Sequence, residues 1–492
     1  MPHPDAPRQA EIHRLMNLAS AAYGRGDHAA AAAAATQVLA LHADQPDALH
    51  LLGLCCMAAG DLPQAVASMV RAAMLKPADP RLQHNLGIAL ADSGARREAR
   101  EAFARAATLD PRNPESQFNL AVLGEEAGAI EEAEAGYRRC LALAPDHAAA
   151  AACLASLLEQ RSELEEARHW CDAALQRVPA DAVARLTRAQ LRFRAGELEP
   201  AVAELENLRD AALTPRNRAL VAGRLGGLYD RLGRSKEAWQ MFLEAKTALK
   251  ETLVPDSGMG PYSFPVAARS ARYLERLLST PREAVAESPV FLVGFPRSGT
   301  TLLDQILSGH PEVTVLEEQD TLQDFLARYA LTDAGMEALL AAAPAELAAD
   351  RQRYWQRVDA YLAGRPRRRV FVDKLPLNTL FIPQLRRLFP AARFVFALRD
   401  PRDVVLSCFM QSFVLNEAMR HFLTLEETAD FYAAVMEVGR RSLAAVPDAV
   451  FTLRYEDLLE DTEGRARALL VFLGLGWDGV VLDFQATARG RR

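Results

Sequence analysis

The sequence predicts an α-solenoid followed by a three-layer α/β domain with a mainly parallel sheet. Two observations carry this. The first half repeats itself every 34 residues. The second half alternates short, continuous apolar runs with turns and helical segments, the pattern of parallel strands covered on both faces. At 492 residues the chain is long enough for two or three domains.

The period shows in three independent rows. Gly26, Gly60, Gly94, Gly128, Ser162 and Gly196 are each 34 positions after the last. Ala19, Gly53, Gly87, Ala121, Ala155 and Ala189 keep the same step, as do Ala31, Ala65, Ala99, Ala133, Ala167 and Ala201. The first row suits a turn that needs a left-handed residue. The other two let paired helices approach closely. Pro46, Pro80, Pro111, Pro114, Pro145 and Pro179 are expected to end the second helix of each pair. A seventh copy, with Gly226, Gly233 and Ala238, follows a three-residue insertion around Ala211–Pro215. The pattern resembles the tetratricopeptide repeat, which implies an array over residues 10–250 whose superhelix holds a protein or peptide partner.

Residues 251–288 read as a linker (VPDSGMGPYSFP) and a lead-in helix, Val266–Ser279, carrying Arg269, Arg272 and Arg276. Strands are expected near 290–294, 369–373, 393–398 and 449–453 of a P-loop-like domain spanning 289–492. The run PVFLVGF feeds into PRSGTT and then the apolar helix TLLDQILSG. Such a strand–loop–helix unit cradles an anion with backbone N–H groups and the helix dipole. Gly294 and Gly299 keep the spacing of an ATP-binding loop, but Thr300 stands where its lysine would be, which argues against a nucleotide kinase. A second block, ARFVFALRDPRDVVLSCF, repeats the design, with Arg399 at the strand end and Ser407 in the helix.

Together these blocks resemble the sulfotransferases, and most closely the tyrosylprotein sulfotransferase-like group and its repeat-containing relatives. The resemblance implies transfer of a sulfuryl group from 3′-phosphoadenosine 5′-phosphosulfate to a hydroxyl of a peptide, protein or glycan, tyrosine foremost, without a metal. It places Pro296, Arg297, Ser298, Gly299, Thr300 and Thr301 on the 5′-phosphosulfate and Arg399 and Ser407 on the 3′-phosphate. Glu318, in VLEEQ, matches the general base, with Glu317 as the competing carboxylate. Lys374, in VFVDKLP, and Arg297 match the cations that stabilise the transferring group. Tyr455, in RYEDL, suits a cofactor phosphate or core packing equally. His310 reads as a loop or capping residue.

The family's usual C-terminal closing loop is missing from the sequence, which ends at DFQATARGRR. Arg489, Arg491 and Arg492 are partial substitutes at best, so a catalytically inactive repeat scaffold is the alternative reading. A net charge of −7 gives no reason to expect nucleic-acid binding as the main role, and no apolar run is long enough for a membrane span. Six cysteines without metal-ligand spacing, and an N-terminus unlike a secretory signal, imply a reducing, cytoplasmic setting.

Overall fold

The computed structural model describes residues 6–209, 213–253, 260–281, 283–285, 287–411, 413 and 416–483. Arg489, Arg491, Arg492 and, within the insertion at 211–215, Ala211 and Ala212 lie outside the described residues.

Twelve helices run from Ala6–Gly24 to Leu198–Arg209, packed as consecutive antiparallel pairs. Each of the six turn positions has a positive φ, from 64° at Ser162 to 85° at Gly94. The second row is small because the partner helix leaves no room. A Cβ on Gly53 would lie 2.9 Å from Met69, and one on Gly87 2.7 Å from Phe103. The alanines of the third row are all fully buried. The prolines act differently from expectation. Pro46, Pro80 and Pro114 open the following helix at its first turn, while Pro111, Pro145 and Pro179 sit in the connecting turns. A proline's missing N–H costs nothing where the helix has no acceptor for it.

The chain divides by compactness into Met1–Leu208 and Arg209–Arg492. The seventh helix pair, Pro215–Arg231 and Ser235–Lys250, continues the helix–turn–helix form of the repeats and falls within the second of these compact units.

In that second unit five strands form one fully parallel sheet: β1 (Val290–Val293), β2 (Val313–Glu317), β3 (Val370–Lys374), β4 (Arg393–Leu398) and β5 (Val450–Arg454). Their order is β2-β3-β1-β4-β5. Four match expected strands; β2 was not foreseen. Alternate residues feed two separate cores. Phe291, Val293, Phe371, Phe394 and Phe396 pack on one face, and Val290, Leu292, Val315, Val372 and Val395 on the other. That makes the domain three layers deep. The helix Phe264–Leu278 packs on the aromatic side, and its Arg269 and Arg276 are tied to Asp333 and Glu337. The six cysteines are unpaired; Cys56 and Cys153 are half-buried and the others buried.

Candidate active site

Parallel strands all point the same way, so their C-terminal ends share one edge, where α/β sheets bind ligands. Most of the residues singled out from the sequence come from that edge or the turn beyond it, while Ser407 comes from the helix that follows β4. The loop 294–299 follows β1 and Glu318 follows β2. Lys374 ends β3, Arg399 follows β4, and Tyr455 follows β5.

The loop is held tightly. Gly294 donates its N–H to Pro376 O (3.1 Å), and its carbonyl accepts from Thr379 Oγ1 (2.7 Å). A Cβ on Gly294 would lie 2.7 Å from Ala397 O, so β4 excludes any side chain there. Gly299 has φ +90° and opens the helix Thr300–Gly309, and a Cβ on it would lie 2.5 Å from Tyr455 Cδ2. Glycine is required there on both counts. Ser298 is buried, and its Oγ has no hydrogen-bond partner among the described residues. Thr300 is buried and Thr301 exposed.

Arg297 joins this loop to the second block by donating from Nε to Ser407 Oγ at 3.0 Å. The helix Pro401–Met410 carries Ser407, and Cys408 Sγ also reaches Pro296 O at 3.3 Å. The guanidinium of Arg399 lies 4.9 Å above the Tyr455 ring and donates to Arg297 O (3.3 Å) and Asp403 Oδ2 (3.4 Å). Its Nε is buried without a partner among the described residues. The Asp403 contact is long and its carboxylate is exposed, so it is a weak, exchangeable pair. Tyr455 thus packs on the loop glycine and under the arginine at once.

A second cluster forms where β2 and β3 end. Their register sets Glu317 directly opposite Lys374. Lys374, fully buried, donates from Nζ to Glu317 Oε1 (2.9 Å) and Glu318 Oε1 (2.7 Å). Burial disfavours the ammonium, but the two carboxylates, Glu318 foremost, outweigh it and raise its pKa above the ordinary lysine value. Both glutamates are about half exposed. Glu318 has φ +48°, and its N–H donates to Lys374 O at 2.7 Å.

His310 is buried; Nδ1 accepts the Glu312 N–H (3.1 Å) and Nε2 donates to Gly476 O (3.0 Å). Both ring nitrogens are engaged, so it serves structure, not proton transfer. Sequence reasoning missed Asp373, buried beside Lys374, whose Oδ2 accepts from Thr321 Oγ1 (2.7 Å) and Tyr354 OH (2.8 Å). Burial pushes its carboxyl up to about 6. It also underweighted Glu317; the alternation of β2, once noticed, would have brought Glu317 level with Lys374.

Residues 289–479 match the sulfotransferase family, and residues 16–80, 84–144 and 130–182 match the tetratricopeptide repeat. The chain joins tetratricopeptide repeats to a sulfotransferase-family domain. An uncharacterized protein of Aquifex aeolicus is 28% identical over 302 residues, 58% of this chain and 38% of that protein. Protein-tyrosine sulfotransferase 2 of Gallus gallus is 32% identical over 208 residues, 40% of this chain and 53% of its own length. A Mycobacterium tuberculosis omega-hydroxy-beta-dihydromenaquinone-9 sulfotransferase is 31% identical over 123 residues, 22% of this chain and 30% of that enzyme. Among solved structures, a tetratricopeptide repeat protein from Parabacteroides merdae covers 49% of this chain and 93% of its own, with 17% identity and a TM-score of 0.40. Both clusters described above lie within the residues that match the sulfotransferase family, and no described helix is long and apolar enough to cross a membrane.

Proposed function

We propose that this sulfotransferase-family domain moves a sulfuryl group from 3′-phosphoadenosine 5′-phosphosulfate to a hydroxyl acceptor, with Glu318 as general base. The observation that carries the reading is that one sheet edge holds both an anion cradle (Ser298, Gly299, Arg297, Ser407, Arg399) and a proton-handling triad (Glu317, Glu318, Lys374). The cradle fits an anion. Ser298 Oγ and Arg399 Nε are buried polar atoms lacking partners among the described residues. Such groups cost about 1–3 kcal/mol each until one arrives. Loop residues Pro296–Thr301 would hold the 5′ end of the donor. Arg399, Ser407 and Tyr455 would hold the 3′-phosphate.

When bound, the donor supplies a sulfuryl group already activated by a phosphate leaving group. The chain's own residues do the rest. Glu318 takes the acceptor proton on the carboxylate oxygen that Lys374 does not engage. Its charge then vanishes, which would strand the buried ammonium of Lys374; an unpaired buried charge costs several kcal/mol. Glu317, on the same Nζ, keeps Lys374 paired throughout. An ammonium has three N–H groups, so one remains to stabilise charge on the leaving oxygen. The repeats, including a cavity of about 720 Å³ lined by Arg97, Arg100, Glu132 and Arg139, would hold a protein or peptide partner.

Calorimetric titration with 3′-phosphoadenosine 5′-phosphate tests the cradle. Wild type should bind, and Arg399→Ala should lose about tenfold or more, the value of a charge-assisted hydrogen bond. Glu318→Gln should bind normally yet transfer about 10²–10⁴-fold more slowly. A wild type that does not bind moves the inactive-scaffold reading to first place.

A further inference from the structure

Asp373 precedes Lys374 on β3 and is buried on the face of the sheet that Phe371 shares. Its Oδ2 accepts from Thr321 Oγ1 (2.7 Å) and from Tyr354 OH (2.8 Å), while its Oδ1 has no partner among the described residues. The two donors come from different places. Tyr354 belongs to the helix Pro344–Leu362, and its ring packs 5.0 Å from Phe389. Thr321 is buried and stands three residues after Glu318, in the turn that follows β2. Glu317, Glu318 and Asp320 are exposed there, so little packing fixes the turn. Two hydrogen bonds to consecutive residues of β3 fix it instead. The Glu318 N–H donates to Lys374 O at one end, and the Thr321 hydroxyl donates to Asp373 at the other.

This anchoring matters because of the backbone at Glu318. A non-glycine residue with φ +48° keeps that conformation only where its surroundings over-determine it. Resting on the reading of Glu318 as general base, we infer that Asp373 is a positioning residue, acting through Thr321 to hold the turn that presents Glu318 to Lys374 and the acceptor. An ionised carboxylate only accepts, so the Thr321 hydroxyl is committed to it as a donor. Released at Thr321, the turn lets Glu318 relax toward negative φ and draws its carboxylate off Lys374 Nζ. A reacting group displaced by about 1 Å costs on the order of 10²-fold in rate.

Two hydroxyl deletions separate positioning from plain stability, since each removes one donor from the same carboxylate. Transfer is assayed from 3′-phosphoadenosine 5′-phosphosulfate to a tyrosine-containing peptide, and melting curves record the folding of every variant. Thr321→Val should lower kcat about tenfold or more with 3′-phosphoadenosine 5′-phosphate affinity unchanged, and Thr321→Ser should restore the rate. Tyr354→Phe should lose comparable stability yet keep kcat within about threefold of wild type. Asp373→Ala should be slow, and adding Thr321→Val to it should slow it no further. Equal loss of kcat in Thr321→Val and Tyr354→Phe overturns the inference, and so does a Thr321→Val that is as fast as wild type. Failure of the general-base reading looks different: wild type transfers nothing, or Glu318→Gln is as fast as wild type. Deuterium exchange at the Glu318 amide then decides. Thr321→Val should speed it about tenfold or more while Tyr354→Phe leaves it near the wild-type rate, and equal exchange in the two variants overturns the inference.

Discussion

Arg297 and Glu318 share a backbone feature that side-chain chemistry alone does not require: φ values of 70° and 48°. Among the described residues only Ser162 and Ala363 are the other non-glycine residues in that region. A left-handed residue with a long side chain costs about 1–3 kcal/mol and persists where its surroundings over-determine it. Here the surroundings are visible, in Ser407 for one and the Lys374 carbonyl for the other. Asp373 stores a different cost. Its folded pKa of about 6 lies above its ordinary 3.8, with burial as the cause. A raised carboxyl contributes stability that is full below the lower value and lost as pH rises through the upper one. Wild type should therefore lose about 3 kcal/mol relative to Asp373→Asn between about pH 4 and pH 7. Denaturant melts across that range check it, and parallel curves for the two proteins would refute the assignment. The contrast also explains what could be read beforehand. Arg297, Glu318, Lys374 and Arg399 announce themselves through contiguous motifs. Thr321 and Tyr354 reach Asp373 from 52 and 19 positions away, and nothing local marks them.

The elements show where the periodic signals end. The 34-residue rows were legible because turn geometry and helix contact both restrict residue size at fixed positions. β2 was not, because VTVLE is five residues long with its Thr314 hydroxyl facing Pro366 O, and it follows a helix without a glycine-rich break. Long-range contacts of the seventh helix pair were equally invisible. Trp239 lies 5.2 Å from Phe409, and Lys246 donates to Gln411 O at 2.9 Å. Both contacts brace the helix that carries Ser407. Burial lowers the Lys246 pKa to about 8, so that contact is costly to keep charged, and Trp239 offers the cleaner probe. Trp239→Ala should weaken 3′-phosphoadenosine 5′-phosphate binding by about 0.5–2 kcal/mol without touching the cradle. Titration of the variant reads the effect directly, and unchanged affinity would show that the helix needs no such brace.

At the scale of the molecule, the question is which segment the sulfotransferase-family domain needs in order to fold. The sequence suggested a break at the glycine- and proline-rich linker, where composition changes. The last helix pair of the repeat array nevertheless lies in the compact unit Arg209–Arg492, together with the sheet. The physical difference is an apolar contact. A fragment beginning at Gly260 would uncover Phe409 and leave Gln411 O without its lysine, on the helix that carries Ser407. A fragment of Arg209–Arg492 keeps both. The longer fragment is expected to melt in one transition and to bind 3′-phosphoadenosine 5′-phosphate within about threefold of the intact chain, while the shorter one binds at least about tenfold more weakly or aggregates. Equal binding by the two fragments would show that the domain does not need the helix pair and place the working boundary at the linker.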